Sequence, residues 1–287
     1  MHELSLTHNL QTETPPLVRG ASINSWAEPS SIASPILNIQ ASFEAAICPE
    51  CERELFDPHN RRYLYPFISC TSCGPRFTIN GDISCDDCRA EYEDLQDRRF
   101  HSQTVACSKC GPFVTLRASH SNISTIEYRL SAILRTRRLL REGGIVAVNN
   151  LSGFHLVCDA YNPMAVEQLH QHRNRAEKPF VIMASDLTVI EKNCIISSQE
   201  KDLLSSREKP IVLLDKKRME IFPIAAAGMM LPHTPLHHLL LNQTDPILAR
   251  ESAPSLLAIT TGDFSEESAT IEMEALLTGS NQVIWSK

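Results

Sequence analysis

Apolar positions change rhythm along this chain, and the change divides it. Leu130, Ile133, Leu134, Leu139 and Leu140 recur at helical spacing. Ser124-x-x-Glu127 ahead of them has the form of a capping box, so a helix is expected to open there and to close at Gly143-Gly144. Ile145–Val148 and Phe154–Cys158 then read as strands. Asn162-Pro163 reads as an N-cap and first helical residue, opening a helix through His172. Pro179–Ala184 and Pro210–Leu214 are further strands, Thr234-Pro235 caps a helix through Leu241, and Leu256–Thr260 is a last short strand. Strands alternating with helices predict a mixed α/β sheet with helical cover.

Before residue 118 that rhythm is missing. Residues 1–47 are rich in Ser, Thr, Pro and Ala and read as a poorly ordered arm, and 118–124 reads as a polar linker. Between them cysteines set the pattern. Cys48/Cys51, Cys70/Cys73, Cys85/Cys88 and Cys107/Cys110 form two runs of C-x2-C-x18-C-x2-C, offset by 37 residues. Zinc takes four soft ligands in a tetrahedron, and two paired knuckles supply four thiolates. Two zinc ions are therefore expected, with the metal in place of a hydrophobic core. Local closure within each run is the simpler geometry; exchange of pairs between runs is the alternative.

The repeat extends beyond the ligands. Glu54, Asp57, Arg61, Arg62, Gly74 and Pro75 recur as Glu91, Asp94, Arg98, Arg99, Gly111 and Pro112, while Tyr63 becomes Phe100. The glycines are expected to permit a tight turn that aims backbone N–H groups at a thiolate. A disulfide framework is the competing reading. Met1–Gly20 lacks the basic start and apolar run of a signal peptide, and a chain of 287 residues can bury a core without staples. Free thiols then suit a reducing cytoplasm.

No apolar run approaches the ~20 residues that a membrane span requires. The net charge of −7 is unevenly spread: residues 129–218 hold 15 Lys/Arg against 10 Asp/Glu, and 219–287 hold 2 against 8. The basic stretch points to an anionic ligand, or to solvated helix faces. Within it, His172–Pro179 gathers Arg173, Arg175 and Lys178 at a passage from helix to strand. Arg175 can fork onto two phosphate oxygens and Lys178 can act as a point charge. Thr260-Thr261-Gly262-Asp263 follows a strand and could cradle a phosphate or simply turn the chain. His155 reads as structural, and Cys158 and Cys194 as buried small residues. His233 and His237 stand four apart without evident further ligands.

Taken in order, these segments resemble the HypF family of hydrogenase-maturation carbamoyltransferases. The likeness lies in CPECERELFDPHNRRYLYPFISCTSCGPRFTI, EYEDLQDRRFHSQTVACSKCGP, SGFHLVCDA, KPFVIM, KPIVLLDKK and GMMLPHTPLHHLLL, covering roughly residues 45–265. The resemblance implies an α/β fold: a YrdC-like twisted mixed sheet with helices over 124–287, preceded by tandem four-cysteine zinc fingers over 48–117. Residues 1–47 would then be the arm or the tail of an acylphosphatase domain. It also implies the chemistry. Carbamoyl phosphate is cleaved to carbamate by the acylphosphatase, and the YrdC-like domain joins carbamate to ATP, giving carbamoyl-adenylate. A further domain passes the carbamoyl group to a HypE-like partner for the cyanide ligands of nickel–iron hydrogenase. The acylphosphatase and transfer domains are not represented, so adenylation is the step expected.

On that resemblance Arg173, Arg175 and Lys178 would hold phosphates with Mg2+ assisting, and Thr260 and Thr261 the nucleotide; Lys216 and Lys217 also match. Two departures weaken the site. Asn149 stands where the family has a lysine, a loss of about 2–4 kcal/mol if it removes a transition-state contact. Asp263 stands where the family has an amide, and its carboxylate repels a triphosphate unless Mg2+ bridges them. The rival reading is a non-catalytic module that binds double-stranded RNA through a basic YrdC-like surface, or one that docks HypE. The acidic balance and the few aromatics among the cations argue against RNA.

Overall fold

The computed structural model describes residues 46–73, 85–120, 123–150, 153–171, 181–217, 227–260 and 282–286. All of them belong to the compact unit Pro35–Lys287. Two short helices come first, α1 (Pro49–Leu55) and α2 (Asp86–Glu93), one in each cysteine run. A hairpin of β1 (Val114–His120) and β2 (Ile123–Tyr128) leads into α3 (Arg129–Arg141). Then follow β3 (Val146–Asn150), β4 (Gly153–Asp159), α4 (Pro163–Gln171), β5 (Val181–Ala184), α5 (Leu187–Asn193) and β6 (Cys194–Ile195). The chain continues through α6 (Ser198–Ser205), β7 (Val212–Lys216), β8 (Ala227–Met230), α7 (Pro235–Leu241), β9 (Leu256–Ile259) and β10 (Gln282–Ser286).

Among the described residues the strands form one ten-stranded sheet, in the order β2-β1-β10-β3-β4-β9-β5-β8-β7-β6. β10 with β3 and β5 with β8 run parallel, and the other neighbours antiparallel. The expected mixed α/β sheet is therefore present. Its strands are apolar on both faces because both are covered. Val146, Val148, Val181, Met183 and Leu257 face a core shared with Ile133 and Leu140 of α3 and Leu239 and Leu240 of α7. Ala147, Ile182, Ala184, Leu256 and Ala258 face the opposite core, with Val166 and Leu169 of α4, Ile190 of α5 and Leu204 of α6.

Local signals located α3, β3, β4, α4, β5, β7, α7 and β9, while α1, α2, α5, α6, β1, β2, β6, β8 and β10 went unread. Asn162 Oδ1 accepts from the N–H groups of Met164 and Ala165, both at 3.1 Å, and Thr234 Oγ1 from His237 N–H at 3.2 Å. Gly143 takes a positive φ of 89° after α3, and Gly144 N–H returns to Leu139 O at 2.8 Å, which stops the helix. Two expectations fail at the start of that helix. Residues 118–120 and 123–124 are strand rather than linker, and Ser124-x-x-Glu127 is not a capping box. Ile123–Tyr128 is strand β2, with Ser124 opposite Ser119 and Glu127 opposite Leu116. Cross-strand pairing outweighs the local capping pattern, so the helix opens at Arg129. The capping box that does form is Ser197 with Glu200, at the start of α6.

Arg137, fully buried, ties three segments together. Its guanidinium donates to the carbonyls of Leu239 and Leu240 at 2.9 Å, Asn242 at 2.7 Å and Glu251 at 2.9 Å. These include the open carbonyls at the end of α7, which its apolar surroundings hide from water. Burial pulls the Arg137 pKa down to about 10, against the opposing charges of Asp245 and Glu251. Arg137→Met keeps the bulk but strands these acceptors. It is expected to lower unfolding free energy by about 3 kcal/mol in urea titration.

Candidate metal centres and the adjoining sheet end

Each cysteine run builds its own cluster. Cys48 N-caps α1, Pro49 opens the helix, and the Cys48 sulfur accepts from Cys51 N–H at 3.4 Å. One turn on, Cys51 faces inward. The second knuckle is a tight turn in which Cys73 N–H reaches Cys70 O at 3.0 Å; Cys110 N–H and Cys107 O repeat it at 3.2 Å. The four sulfurs of Cys48, Cys51, Cys70 and Cys73 all lie within 4.8 Å of one another, as do those of Cys85, Cys88, Cys107 and Cys110. Local closure, not exchange of pairs, is the geometry found.

The separations identify what the clusters suit. Cys48–Cys70 and Cys51–Cys73 stand at 3.6 Å and Cys70–Cys73 at 3.8 Å. In the second cluster the spacings are 3.9 Å for Cys85–Cys107, 3.7 Å for Cys107–Cys110 and 3.6 Å for Cys88–Cys110. A tetrahedron with zinc–sulfur bonds of about 2.3 Å has edges of about 3.8 Å. A disulfide needs about 2.05 Å, and all ten cysteines are free. Both clusters fit a tetrahedral zinc.

The residues that recur with the cysteines act across the repeat. Asp57 and Asp94 accept from His59 and Gln96 N–H at 2.9 Å, and Asn60 and Asp97 from Arg62 and Arg99 N–H at 2.9 and 2.8 Å. These matched turns present each arginine pair to the other run. Arg61 forks onto Glu91 at 2.5 and 3.1 Å, with both terminal nitrogens 3.3 Å from Cys88 Sγ. Arg62 also pairs with Glu91 and donates Nε to Ala106 O at 2.7 Å. In return Arg98 meets Glu54 at 2.7 Å and Cys51 Sγ at 3.2 Å. Arg99 pairs with Glu54 and donates Nε to Ser69 O at 3.1 Å. Burial alone would raise the Glu91 carboxyl, but Arg62 and Arg61 hold it down at about 2. Glu54 is likewise lowered: Arg99 and Arg98 outweigh its burial.

Gly111 sits in the expected tight turn and is also required by space. Its N–H donates to Cys107 O at 2.8 Å, while an added Cβ would lie 2.0 Å from the Tyr65 hydroxyl. Gly74 lies outside the described residues. The expectation that metal replaces a hydrophobic core also needs correction for the first run, because Cys51, Leu55, Leu64, Tyr65 and Ile68 join the core beneath the sheet. The second run's own apolar cluster holds little beyond its cysteines and Val105. Tyr63 explains the one asymmetric pair: its hydroxyl donates to Asp245 Oδ2 at 2.6 Å, whereas Phe100 stacks on His101. Ile47 N–H to His233 O at 3.0 Å and Glu52 beside His238 at 3.3 Å complete the junction.

Of the other candidates, Asn149, His155, Lys216 and Thr260 lie toward one end of the sheet. β9 ends at Ile259, opposite both Val157 of β4 and Val181, where β5 begins. Val181 lies opposite Gly228 and Leu214 opposite Ala227, so β7 ends at Lys216 toward the same side. Asn149 of β3, opposite Phe154, is there too. Thr260 is buried; its Oγ1 accepts from Leu156 N–H at 2.9 Å and its carbonyl meets His155 Nδ1 at 2.8 Å. Burial lowers the His155 pKa, partly offset by that carbonyl. Lys217 donates its N–H to Asn193 O at 2.9 Å and its Nζ to Glu191 O. Arg173, Arg175, Lys178, Thr261 and Asp263 lie outside the described residues. Cys158 and Cys194 are fully buried, and burial pushes their thiols up to about 12 and about 11. The rings of His233 and His237 pack edge to face at 4.6 Å.

Residues 138–284 match the Sua5/YciO/YrdC family, described as telomere recombination, and 47–80 and 85–117 each match the HypF finger. The chain belongs to the Sua5/YciO/YrdC family, in its finger-bearing HypF form. It is 40% identical over 231 residues to carbamoyltransferase HypF2 of Cupriavidus necator, covering 75% of this chain and 29% of that protein. It is 45% identical over 214 residues to carbamoyltransferase HypF of Rhizobium leguminosarum bv. viciae, covering 70% and 27%. A solved full-length HypF in phosphate- and nucleotide-bound form superposes with a TM-score of 0.68 at 34% identity, covering 85% of this chain and 33% of that one. The chain thus spans a third or less of the length of the HypF proteins it matches. No helix among the described residues is long and apolar enough to cross a membrane.

Thr260→Val would strand the Leu156 N–H beneath the sheet end, whereas Thr260→Ser keeps the acceptor. Urea unfolding should show a loss of about 2 kcal/mol for the first and a much smaller loss for the second.

Proposed function

We propose that this chain carries the adenylate-forming step of a hydrogenase-maturation carbamoyltransferase, on a scaffold stiffened by two structural zinc ions. The observation that carries the reading is the gathering of β3, β4, β5, β7 and β9 ends at one side of the sheet. The likeness to a HypF solved with phosphate and nucleotide supports it. A carbamate oxygen attacks the α-phosphorus of ATP; the new O–P bond forms as the bond to the β-phosphate bridge breaks and pyrophosphate leaves. No side-chain nucleophile is needed, and positioning with cationic stabilisation supplies the catalysis.

Arg173, Arg175 and Lys178 immediately precede β5 in the sequence and neutralise the phosphates. Thr261 binds the nucleotide, while Thr260 fixes the strand end from which Thr261 and Asp263 follow. Lys216 at the end of β7 and Lys217 just beyond it, its Nζ on Glu191 O, add positive charge two strands away from β5. Mg2+ arrives with ATP as part of the substrate and offsets the Asp263 carboxylate. The carbamoyl group then passes to a HypE-like acceptor. The reduced clusters suit a cytoplasmic setting.

ATP–pyrophosphate exchange, with carbamate supplied from ammonia and bicarbonate, is expected to be carbamate-dependent. Arg175→Ala should weaken ATP binding about tenfold or more with the fold unchanged. Absence of exchange from folded protein holding both metals would refute the enzymatic reading, and a salt-sensitive shift of double-stranded RNA would replace it. Metal analysis should find two zinc ions per chain, and Cys70→Ala should leave one under excess zinc.

A further inference from the structure

The cysteine ligands are local to each run, but the charges that face them are exchanged. Four thiolates around a divalent ion leave an excess of two negative charges. At Cys88 that excess meets Arg61 at 3.3 Å and Arg62 at 3.7 Å, both from the first run. At Cys51 and Cys48 it meets Arg98 at 3.2 and 3.5 Å, from the second. Glu91 and Glu54 hold the pairs in place from the receiving side. Arg62 and Arg99 are 1% and 3% exposed, so neither guanidinium has water to fall back on.

The position of each pair in the chain gives this exchange a consequence. Arg61 and Arg62 lie on the loop between Cys51 and Cys70, and Arg98 and Arg99 on the loop between Cys88 and Cys107. Both loops are pinned at their two ends by their own cluster. An ion in the first run therefore orders the loop that completes the surroundings of the second, and the reverse holds.

We propose that the two clusters take up metal as one cooperative unit, the affinity of each being set by the arginine pair of the other run. This rests on the reading that both clusters hold zinc. The four arginines are positioning residues and none is a ligand: Arg61, Arg62 and Arg98 act through a thiolate and the carboxylate of the opposite run, and Arg99 through the carboxylate and Ser69 O. Coupling of this kind is reciprocal. Partners beyond the ligands typically change metal affinity by 10–100-fold.

The test exploits the crossover. Zinc content of the full chain is measured first. The protein is then challenged with EDTA in the presence of N-ethylmaleimide, and labelled peptides are resolved by mass. In the unaltered chain the two cysteine quartets should be labelled together. Arg98→Ala sits in the second run, yet Cys48, Cys51, Cys70 and Cys73 should be labelled first, on the order of 10–100-fold faster than in the unaltered chain. The second quartet should follow. Arg98→Lys keeps the charge without the fork and should give a smaller acceleration in the same quartet, which covers failure of the alanine variant to fold. Arg61→Lys should give the mirror image, with Cys85, Cys88, Cys107 and Cys110 first.

Labelling of the second quartet first in the Arg98 variants, or no acceleration of the first, overturns the proposal. A chain that holds no zinc at the outset overturns the metal reading and the coupling with it. A chain that holds two and lacks the crossover overturns the coupling alone.

Discussion

The exchange of arginines between the two cysteine runs is the interaction on which the N-terminal half depends. A buried guanidinium is stable only when its donors are matched, and a thiolate cluster only when its charge is balanced. Arg62 satisfies both needs at once, with Glu91 and Cys88 on one side and Ala106 O on the other. In the other direction the duties are divided: Arg99 is matched by Glu54 and Ser69 O, and Arg98 faces Cys51 and Cys48. Neither set of contacts exists unless both runs are folded against each other. The second run has almost no apolar core of its own, so this electrostatic clasp and its cluster give it shape.

The first run carries that order onward to the sheet. Leu55, Leu64 and Ile68 are continuous with the core that holds Ile133, Leu140 and Leu239. Tyr63 reaches Asp245, whose other oxygen receives the N–H groups of Ile247 and Leu248 at 2.9 and 3.0 Å. Arg137, from α3, closes the end of α7 close by. The finger module is thus built into one face of the sheet rather than tethered to it. The change from Tyr63 to Phe100 marks which copy has that duty.

Much of this was legible in the residues, and the failures share a cause. Caps at Asn162 and Thr234 and the stop at Gly143 are local, so the pattern alone located their helices. Ser124-x-x-Glu127 carries the same letters as Ser197-x-x-Glu200, yet only the second caps a helix. The difference lies in Val114–His120, a partner outside any local window. β10 escaped notice for the same reason: it runs between β1 and β3, paired with residues far away in the chain. The cysteine clusters were plain from spacing because metal geometry is itself local. The arginines were visible as a repeat at 37 residues, but nothing in the spacing told that they cross.

The sheet end poses the converse case. Asn149, His155, Val181, Lys216 and Thr260 come from five strands, and no sequence window holds more than two of them. Antiparallel alternation through β3, β4, β9 and β5, then the parallel step to β8 and the return along β7, turns their termini the same way. In such an arrangement the hydrogen-bonded ladder fixes the spacing between the strand ends. It also explains why Thr260 is spent on the backbone. A hydroxyl that accepts from Leu156 N–H locks β9 against β4 where the next residues leave the sheet. Groups that follow such an anchored strand end start from a fixed point. In that position Thr260 holds the geometry of the strand end.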